Sequence, residues 1–208
     1  MAAPPSKPQR APVQDRSRQT VRFILEAAVQ VFESQGIAGG TTARIAERAG
    51  VSVGTLYQYF PNKQAVLQAL GEAHVAEAAA QIGALLARIS GEDWPLPALL
   101  QAVVEVAVAL HAGNPVLHRM LYEEGLLTAD LRARVEALGV ELSGIVAGLL
   151  ARQPAVRAGD RHLMAWFVVE TVEHFAHRLV IRPPPPDLAA GAVAELVVLL
   201  NRYLTDPG

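Results

Sequence analysis

Residues 41–60 read TTARIAERAGVSVGTLYQYF and combine two helix starts, a glycine-centred turn and an aromatic end within twenty positions. Thr41 or Thr42 can cap a first helix with its side-chain oxygen. Gly50 can end that helix in the left-handed conformation, and Ser52 can cap a second helix. This spacing is typical of a helix-turn-helix whose second helix enters the DNA major groove. The same pattern also fits two packed helices without a role in DNA binding.

The longer stretch from about Arg18 to Leu70 resembles the DNA-binding domain of the tetracycline-repressor (TetR) family of transcriptional regulators. The segments that carry the resemblance are RFILEAAVQVFESQG, TTARIAERAGVSVGTLYQYF and PNKQAVLQAL. The resemblance implies a three-helix DNA-binding domain followed by a larger helical domain that binds a small-molecule effector and forms a dimer. It therefore implies an all-α fold and a ligand-responsive regulator, most often a repressor.

The resemblance also implies which side chains meet DNA. The positions that correspond to phosphate contacts, together with the capping serine, are Thr42, Ser52, Thr55, Tyr57, Tyr59 and Lys63. The positions from which family members reach base edges are Ala43, Arg44, Val53, Gly54 and Gln58. Because Ala43 and Gly54 offer almost no bonding group, we expect Arg44 to read guanine, Gln58 to read adenine or a neighbouring base, and Val53 to contact a thymine methyl.

Charge is distributed unevenly along the chain. The first 64 residues hold eight Lys or Arg against four Asp or Glu, a formal +4, whereas the whole chain carries −2, so the other 144 residues carry −6. A basic end on a mildly acidic protein favours contact with a polyanion at that end. Ordinary scatter of charge is the alternative explanation.

The first fourteen residues, MAAPPSKPQRAPVQ, contain four prolines and no apolar periodicity, which predicts a disordered, proline-rich arm over 1–14. The helix-turn-helix domain is predicted over 15–62. Its first helix should begin near Asp15 to Ser17 and stop at Gly36. The apolar stripe of this helix is Val21, Ile24, Leu25, Ala28, Val31 and Phe32.

The second domain, predicted over 63–208, is rich in alanine and leucine and has no strand-like alternation. Helices are predicted at about 62–89, 95–112, 115–123, 128–152, 159–182 and 187–204. The breaks between them are SGEDWP, HAGNP, EEGLLT, RQPAVRAG and RPPPP.

Composition argues against a membrane protein or an exported one. Glu105, Glu170 and Glu195 interrupt the most apolar stretches, so no membrane association is expected. The chain has no cysteine, which excludes disulfides and thiolate metal sites. With no apolar signal-peptide core, we expect a cytoplasmic location.

The last two helices, HLMAWFVVETVEHFAHRLVI and LAAGAVAELVVLLNRYL, are apolar around most of their circumference. Such a helix in a soluble protein is either central or shared with a second subunit. We therefore expect a homodimer through the last two helices, which would present two recognition helices to a palindromic operator in double-stranded DNA. The side chains expected in this interface, or else in the core, are Val193, Leu196, Leu199 and Leu200.

Effector contacts are expected on the helices that enclose the ligand cavity in similar proteins. The candidates are Trp94, His111, His118, Met120, Tyr122, Trp166, Phe167, Glu170 and His174. Polar groups on apolar helices are the better candidates, since a buried histidine or glutamate needs a partner that a ligand can supply.

Glu170, Glu173, His174 and His177 raise a metal hypothesis, because Glu170 and His174 share a helix face and so do His174 and His177. A structural cluster explains them without a metal, and we expect no metal and no cofactor. A metal-bundle enzyme would need Glu-x-x-His motifs on further helices, which are absent. The remaining alternative is a DNA-binding regulator or activator without a small-molecule sensor.

Overall fold

The computed structural model describes residues 11–89, 94–122 and 128–207, and within these ranges the chain is all α-helical, as predicted. The helices are α1 (Ala11–Gly39), α2 (Thr42–Arg48), α3 (Val53–Tyr59), α4 (Lys63–Ile89), α5 (Leu96–Ala112), α6 (Pro115–Tyr122), α7 (Ala129–Ala151), α8 (Arg161–Ile181) and α9 (Pro186–Thr205). The chain divides into two compact units, Met1–Leu70 and Gly71–Gly208, with the division inside α4.

The first helix differs from the prediction at both ends. It already includes residues 11–14, expected in the arm, and Pro12 fits there because amides in the first helical turn have no partner to lose. The rest of the arm, 1–10, lies outside the described residues. At the other end Gly36 adopts a φ of 67° and interrupts the helix at the predicted position, and a further turn runs on to Gly39.

The first unit is held together by the stripe predicted on α1. Ile24, Ala28, Val31 and Phe32 are buried, and Val21 and Leu25 are half-buried. Ile45 and Leu56, from α2 and α3, are fully buried as well. The apolar periodicity of 3.6 residues therefore identified the buried face of α1 correctly.

The second unit has its main core where α5, α7, α8 and α9 meet. The buried side chains of this core include Leu100 and Val104 of α5, Leu150 of α7, Val168 and Val172 of α8, and Leu200 and Leu204 of α9. Arg157 binds the C-terminal end of α9 through two hydrogen bonds. Its backbone amide donates to the carbonyl of Leu204 at 2.8 Å, and its Nε donates to the carbonyl of Tyr203 at 2.9 Å.

The helices of the second unit begin and end within two residues of the predicted positions. Prolines mark three of the starts, since Pro95 is the N-cap of α5, Pro115 opens α6 and Pro186 opens α9. Side-chain oxygens mark two more: Thr128 accepts from the amide of Leu131, and Asp160 accepts from the amides that open α8. Residue 123, predicted at the end of the third of these helices, lies outside the described residues.

Two of the sequence expectations concern helix α9. Of the expected interface side chains, Leu196 and Leu200 are buried in the core of their own chain, Val193 packs against that core, and Leu199 alone is well exposed. Among the described helices α9 is also long and apolar enough to cross a bilayer, as the α5–α6 pair would be but for its 85° bend. Core helices share this composition, and α9 packs one face into the core.

Candidate DNA interface and effector cavity

The helix-turn-helix is built by local hydrogen bonds that its sequence supplies. Thr41 is the N-cap of α2, where its hydroxyl accepts from the amide of Arg44 at 3.3 Å. Ser52 is the N-cap of α3 and accepts from the amide of Thr55 at 3.0 Å. These two caps set the start of each helix and hence the side chains that α3 presents.

The turn between the two helices is a Schellman motif. Gly50 has a φ of 68°, its amide donates to the carbonyl of Glu47 at 3.1 Å, and the amide of Val51 donates to the carbonyl of Ala46 at 3.0 Å. Glycine takes this left-handed conformation without the Cβ penalty that other residues meet. Gly50 therefore performs the role that the sequence predicted for it.

The structure leaves most of the expected DNA-contacting side chains accessible. Val53 and Tyr57 are 42% and 49% exposed, which is unusual for large apolar and aromatic groups. The other exposed members are Ala43, Arg44, Ser52, Gly54 and Gln58, and the half-buried ones are Thr42, Thr55, Tyr59 and Lys63. The face of α3 opposite Leu56 is thus a continuous accessible surface.

Two cations of this surface are bound to the C-terminal end of α1. The Lys63 ammonium donates to the carbonyl of Ile37 at 2.7 Å, and Nη1 of Arg44 donates to the carbonyl of Gly39 at 2.7 Å. Arg44 also donates to Oε1 of Gln35. The carbonyls at a helix C-terminus carry partial negative charge and attract cations. Without DNA, both side chains are therefore held in place by the protein itself.

The second unit contains a cavity of about 780 Å³ lined by α4, α5, α6, α7 and α8. His74 and Ile89 both line it, and fifteen residues of helix separate them by about 22 Å, so the cavity is elongated along α4. Its lining is mainly aliphatic; representative side chains are Leu85, Leu86, Val103, Leu142, Val146 and Leu149.

Three histidines of this lining, from α4, α5 and α6, form a cluster with a fourth histidine from α8, which is not among the described lining residues. This histidine cluster consists of His74 (α4), His111 (α5), His118 (α6) and His177 (α8). His118 lies at its centre, with Nδ1 3.3 Å from Nε2 of His74 and Nε2 2.8 Å from Nδ1 of His177. Tyr122 stacks on the His118 ring at a centroid distance of 4.3 Å.

The charge states within the histidine cluster follow from burial and from Glu173. Burial, helped by the neighbouring histidines, lowers the pKa of His118 to about 2 and also lowers the pKa of His74. Burial opposes charge on His111 as well, but Glu173 outweighs it and raises the pKa of His111. Burial raises the pKa of Tyr122 to about 12. His118 is therefore a neutral imidazole at physiological pH.

The expected effector residues divide between the cavity and other places. Five of them line the cavity: His111, His118, Tyr122, Trp166 and Glu170. Four do not. Met120 is buried elsewhere on α6, Trp94 stacks under the guanidinium of Arg88, Phe167 packs on Trp166 and Tyr203, and the His174 side chain is 81% exposed. Helical position alone did not reveal which face each side chain occupies.

Sequence reasoning missed His74 and the role of Glu173 as lining residues. The signal for His74 was present, because His74, Ala78, Ile82, Leu85 and Ile89 recur at three and four residues and form one stripe of α4. Glu173 gave no comparable signal, since its partner His111 lies on another helix, 62 residues earlier in the chain.

The structure separates the four residues that raised the metal hypothesis. Glu170 and His174 form an exposed pair, with 3.8 Å between Oε2 and Nδ1. Glu173 turns instead to His111, with 3.2 Å between Oε1 and Nε2, and His177 turns to His118. The shared helix face predicted for His174 and His177 therefore does not bring those two rings together.

A large apolar surface remains exposed on α8 and α9. Its side chains are between 45% and 62% exposed and comprise Leu163, Trp166, Phe167, Leu188, Val198 and Leu199. Exposed apolar patches of this kind are typical of protein–protein interfaces.

Comparisons with known proteins agree with this architecture. The profile described as "Bacterial regulatory proteins, tetR family" matches residues 24–70, and the profile described as "Tetracyclin repressor-like, C-terminal domain" matches residues 95–204. The HTH-type transcriptional regulator Rv2250c of Mycobacterium tuberculosis (strain ATCC 25618 / H37Rv) is 30% identical over 87% of this chain and 92% of its own length.

Two further matches cover most of the chain. The nucleoid occlusion factor SlmA of Glaesserella parasuis serovar 5 is 28% identical over 81% of this chain and 83% of its own length. The transcriptional regulator FadR of Bacillus subtilis, solved in complex with stearoyl-CoA, has the same fold with a TM-score of 0.63 and 22% identity, covering 90% of this chain and 98% of that one.

Both profiles match in the order and at the places where the helix-turn-helix and the larger helical unit lie, and the second profile alone spans more than half of the chain. Members of this family regulate transcription and are not enzymes. The chain belongs to the TetR family of DNA-binding transcriptional regulators.

Proposed function

We propose that the protein is a homodimeric repressor that leaves a palindromic operator when an elongated, largely apolar effector occupies the cavity of the second unit. The observation that carries this proposal is the cavity itself. A volume of about 780 Å³ lies within the usual range of small-molecule sites, and its mainly aliphatic lining with a few convergent polar groups is the usual composition of such sites.

DNA contacts are assigned to the accessible surface of α2, α3 and the start of α4. Thr42, Thr55, Tyr57, Tyr59 and Lys63 contact phosphates, and Ser52 keeps its capping role beside them. Base readout falls on Arg44, Gln58 and Val53, with Ala43 and Gly54 allowing close approach. The exposure of Val53, Tyr57 and Gln58 supports this assignment. To reach a base, Arg44 must release the carbonyl of Gly39.

The dimer is assigned to the exposed apolar surface of α8 and α9. Two chains related by a twofold axis bury the same patch on each other, and Leu199 and Trp166 are the most suitable central contacts. Such a dimer presents two copies of α3, which must lie about 34–36 Å apart to enter successive major grooves of an inverted repeat. A DNA-bound regulator of this kind acts in the cytoplasm.

The effector is assigned by the chemistry of the lining. An acyl chain fits a cavity that extends along about 22 Å of α4 with aliphatic walls, and a polar head group fits beside the histidine cluster. The stearoyl-CoA in complex with FadR of Bacillus subtilis is a ligand of this kind. No Lys or Arg is among the lining residues that the structure describes, so the charged part of an acyl thioester would remain outside the cavity.

Release from DNA follows from a population shift. Helix α4 includes both Lys63 and the cavity stripe from His74 to Ile89. An effector that binds more tightly to a conformation with a different spacing of the recognition helices lowers the population that fits DNA.

The proposal is tested in two stages. Footprinting with DNA from upstream of the protein's own gene first identifies an operator. Fluorescence anisotropy on that operator then follows its release by acyl-CoA thioesters of increasing chain length, with coenzyme A alone and free fatty acids as comparisons. We expect release by long acyl chains and none by coenzyme A alone.

A matched pair of variants tests whether the cavity is the site of action. Ala78 lines the cavity, whereas the next residue on α4, Ala79, is exposed. Ala78→Phe should fill part of the cavity, abolish the response to acyl compounds and leave operator affinity unchanged. Ala79→Phe should preserve both properties. An equal response in both variants would contradict the cavity as the effector site.

If specific operator binding is found and no acyl compound alters it, the alternative of a DNA-binding regulator without a small-molecule sensor is favoured. If no specific DNA site is found at moderate ionic strength, the repressor proposal fails as a whole.

A further inference from the structure

Three of the histidines in the cluster lie in positions that suit a metal ion. His111, His118 and His177 each offer one ring nitrogen, and these nitrogens all lie within 4.8 Å of one another. They come from three different helices, and His111 and His118 are buried. Binding an aliphatic effector does not require three converging imidazoles. Each buried polar ring needs a polar partner, and an aliphatic group is not one.

His111 has its ligand atom prepared by a hydrogen bond on the opposite side of the ring. Nδ1 lies 2.7 Å from the carbonyl of Ala107, which can only accept, so Nδ1 carries a proton. In the neutral ring the lone pair is then on Nε2, which is buried and has no hydrogen-bond partner among the described residues. A proton on one nitrogen held by a backbone carbonyl is the usual arrangement for a histidine that binds a metal.

The Glu173 carboxylate lies beside the Nε2 lone pair of His111. Its Oε1 lies 3.2 Å from Nε2 of His111, close enough for charge attraction but outside the direction of a hydrogen bond. A lone pair beside a carboxylate is repulsive unless a cation is present between or near them. The Glu173 carboxylate therefore lies where it would offset the charge of a metal ion held by Nε2 of His111.

His118 and His177 complete the set. Nε2 of His118 and Nδ1 of His177 are 2.8 Å apart and share one proton. Ligand nitrogens on a tetrahedral zinc ion are about 3.3 Å apart, so small ring rotations would let a metal replace that proton. On its other side Nδ1 of His118 is 3.3 Å from Nε2 of His74, which can accept its proton and orient the ring.

We propose that His111, His118 and His177 form a binding site for a divalent late first-row transition metal, with Zn²⁺ as the preferred ion and His74 and Glu173 as positioning residues. Imidazole nitrogen favours zinc, nickel and copper over magnesium and calcium, which require oxygen ligands. Two of the ligands line the cavity, so the remaining coordination position is available to water or to an oxygen atom of a cavity ligand.

The test uses the untagged full-length chain, stripped of metal with a chelator. Equilibrium dialysis against Zn²⁺ followed by metal analysis should give one zinc per chain, and Mg²⁺ should not bind. Co²⁺ should produce visible absorption bands of a four- or five-coordinate site, and Zn²⁺ should abolish them. DNA and acyl compounds are left out, so the result does not depend on the proposed function.

Variants identify which histidines bind. The chain has six histidines, and His174 provides a matched control because it is exposed and lies on the same helix as His177. His118→Asn and His177→Asn should each lower zinc affinity by about 100-fold or more, and His74→Asn by about 10-fold to 100-fold. His174→Asn should bind zinc as the unmodified chain does.

Circular dichroism establishes that each variant is folded. If His118→Asn does not fold, the unmodified protein still tests the metal site. The proposal requires that this protein bind Zn²⁺ stoichiometrically and show the Co²⁺ absorption bands. Absence of both would overturn the proposal. Loss of zinc binding in His174→Asn equal to that in His177→Asn would overturn it too.

Discussion

The phenolic oxygen of Tyr57 lies 3.1 Å from Oγ1 of Thr42, so a hydrogen bond joins the recognition helix to the first residue of the helix before it. The Tyr57 side chain is otherwise half exposed. This bond holds two of the side chains that we assign to DNA phosphates at a defined separation. It also makes each of them sensitive to loss of the other.

Tyr57→Phe removes that hydrogen bond and one donor to a phosphate. A hydrogen bond to a charged group contributes about 1.5–3 kcal/mol, so operator and nonspecific DNA should both bind more weakly by that amount. The salt dependence should not change, because the lost hydroxyl is uncharged. Anisotropy titrations at several salt concentrations measure both quantities, with Tyr203→Phe as the control. Unchanged affinity would contradict the contact.

Lys63→Ala should lower DNA affinity for all sequences and reduce the slope of log affinity against log salt by about 0.9, the value for one released counterion. The variant also loses the bond from the charged ammonium to the carbonyl of Ile37, so its unfolding free energy should fall by about 1.5–3 kcal/mol. Arg152→Ala removes one cation from the other unit and is the charge-matched control. A slope equal to that of the control would remove Lys63 from the interface.

Arg44→Ala should relax sequence preference at a single base pair by about 1–3 kcal/mol. The structure offers a specific alternative, in which Arg44 stays on the carbonyl of Gly39 and only supports the domain. Titration against operators substituted at each position separates the two roles, because the supporting role predicts a uniform loss. Gln35→Ala removes one hydrogen bond of Arg44 and should keep the sequence preference of the unmodified protein.

Leu199→Glu should convert the proposed dimer to a monomer at micromolar concentration, since it places a charge in the centre of the proposed apolar contact. Leu199 is 60% exposed in the single chain, so its own fold should tolerate the change. Val140→Glu on α7, where the valine is 75% exposed, is the matched control and should remain dimeric. Analytical ultracentrifugation distinguishes the outcomes, and a dimeric Leu199→Glu variant would place the interface elsewhere.

Gly50→Ala and Gly83→Ala form a pair that isolates backbone conformation, because a Cβ at either position meets no atom within 4 Å. Gly50 has a φ of 68°, so alanine there should cost about 1–2 kcal/mol of unfolding free energy. Gly83 is helical, and alanine there should increase stability by about 0.5–1 kcal/mol. Denaturant unfolding measures both changes. If the two substitutions changed the unfolding free energy in the same direction, the role of Gly50 in the turn would be contradicted.

Much of the helix-turn-helix could be predicted because its determinants are close together in the sequence. Thr41, Gly50 and Ser52 act on amides or carbonyls within four residues of themselves, so their identity and spacing were sufficient. The predicted start of α1 is too late for a related reason. Proline density argues for a disordered arm, but a proline in the first turn does not oppose a helix.

The faces of α9 could not be predicted in the same way. Leu196, Leu199 and Leu200 are chemically equivalent, and the helix is apolar on nearly every side. Only the rotation of α9 about its axis, set by packing against α5 and α8, buries Leu196 and Leu200 and exposes Leu199. Periodicity identifies a buried face only when the opposite face is polar.

The sequence by itself determined the helical class and the recognition element, because those depend on caps, glycines and periodicity that act over a few residues, and its resemblance to the TetR family indicated the family. Tertiary structure alone decided that His74, His111, His118 and His177 meet, and that Glu173 faces His111 rather than His174. These groups are up to 103 positions apart. Their meeting depends on how α4, α5, α6 and α8 pack, and each helix could bury its apolar surface in more than one rotation.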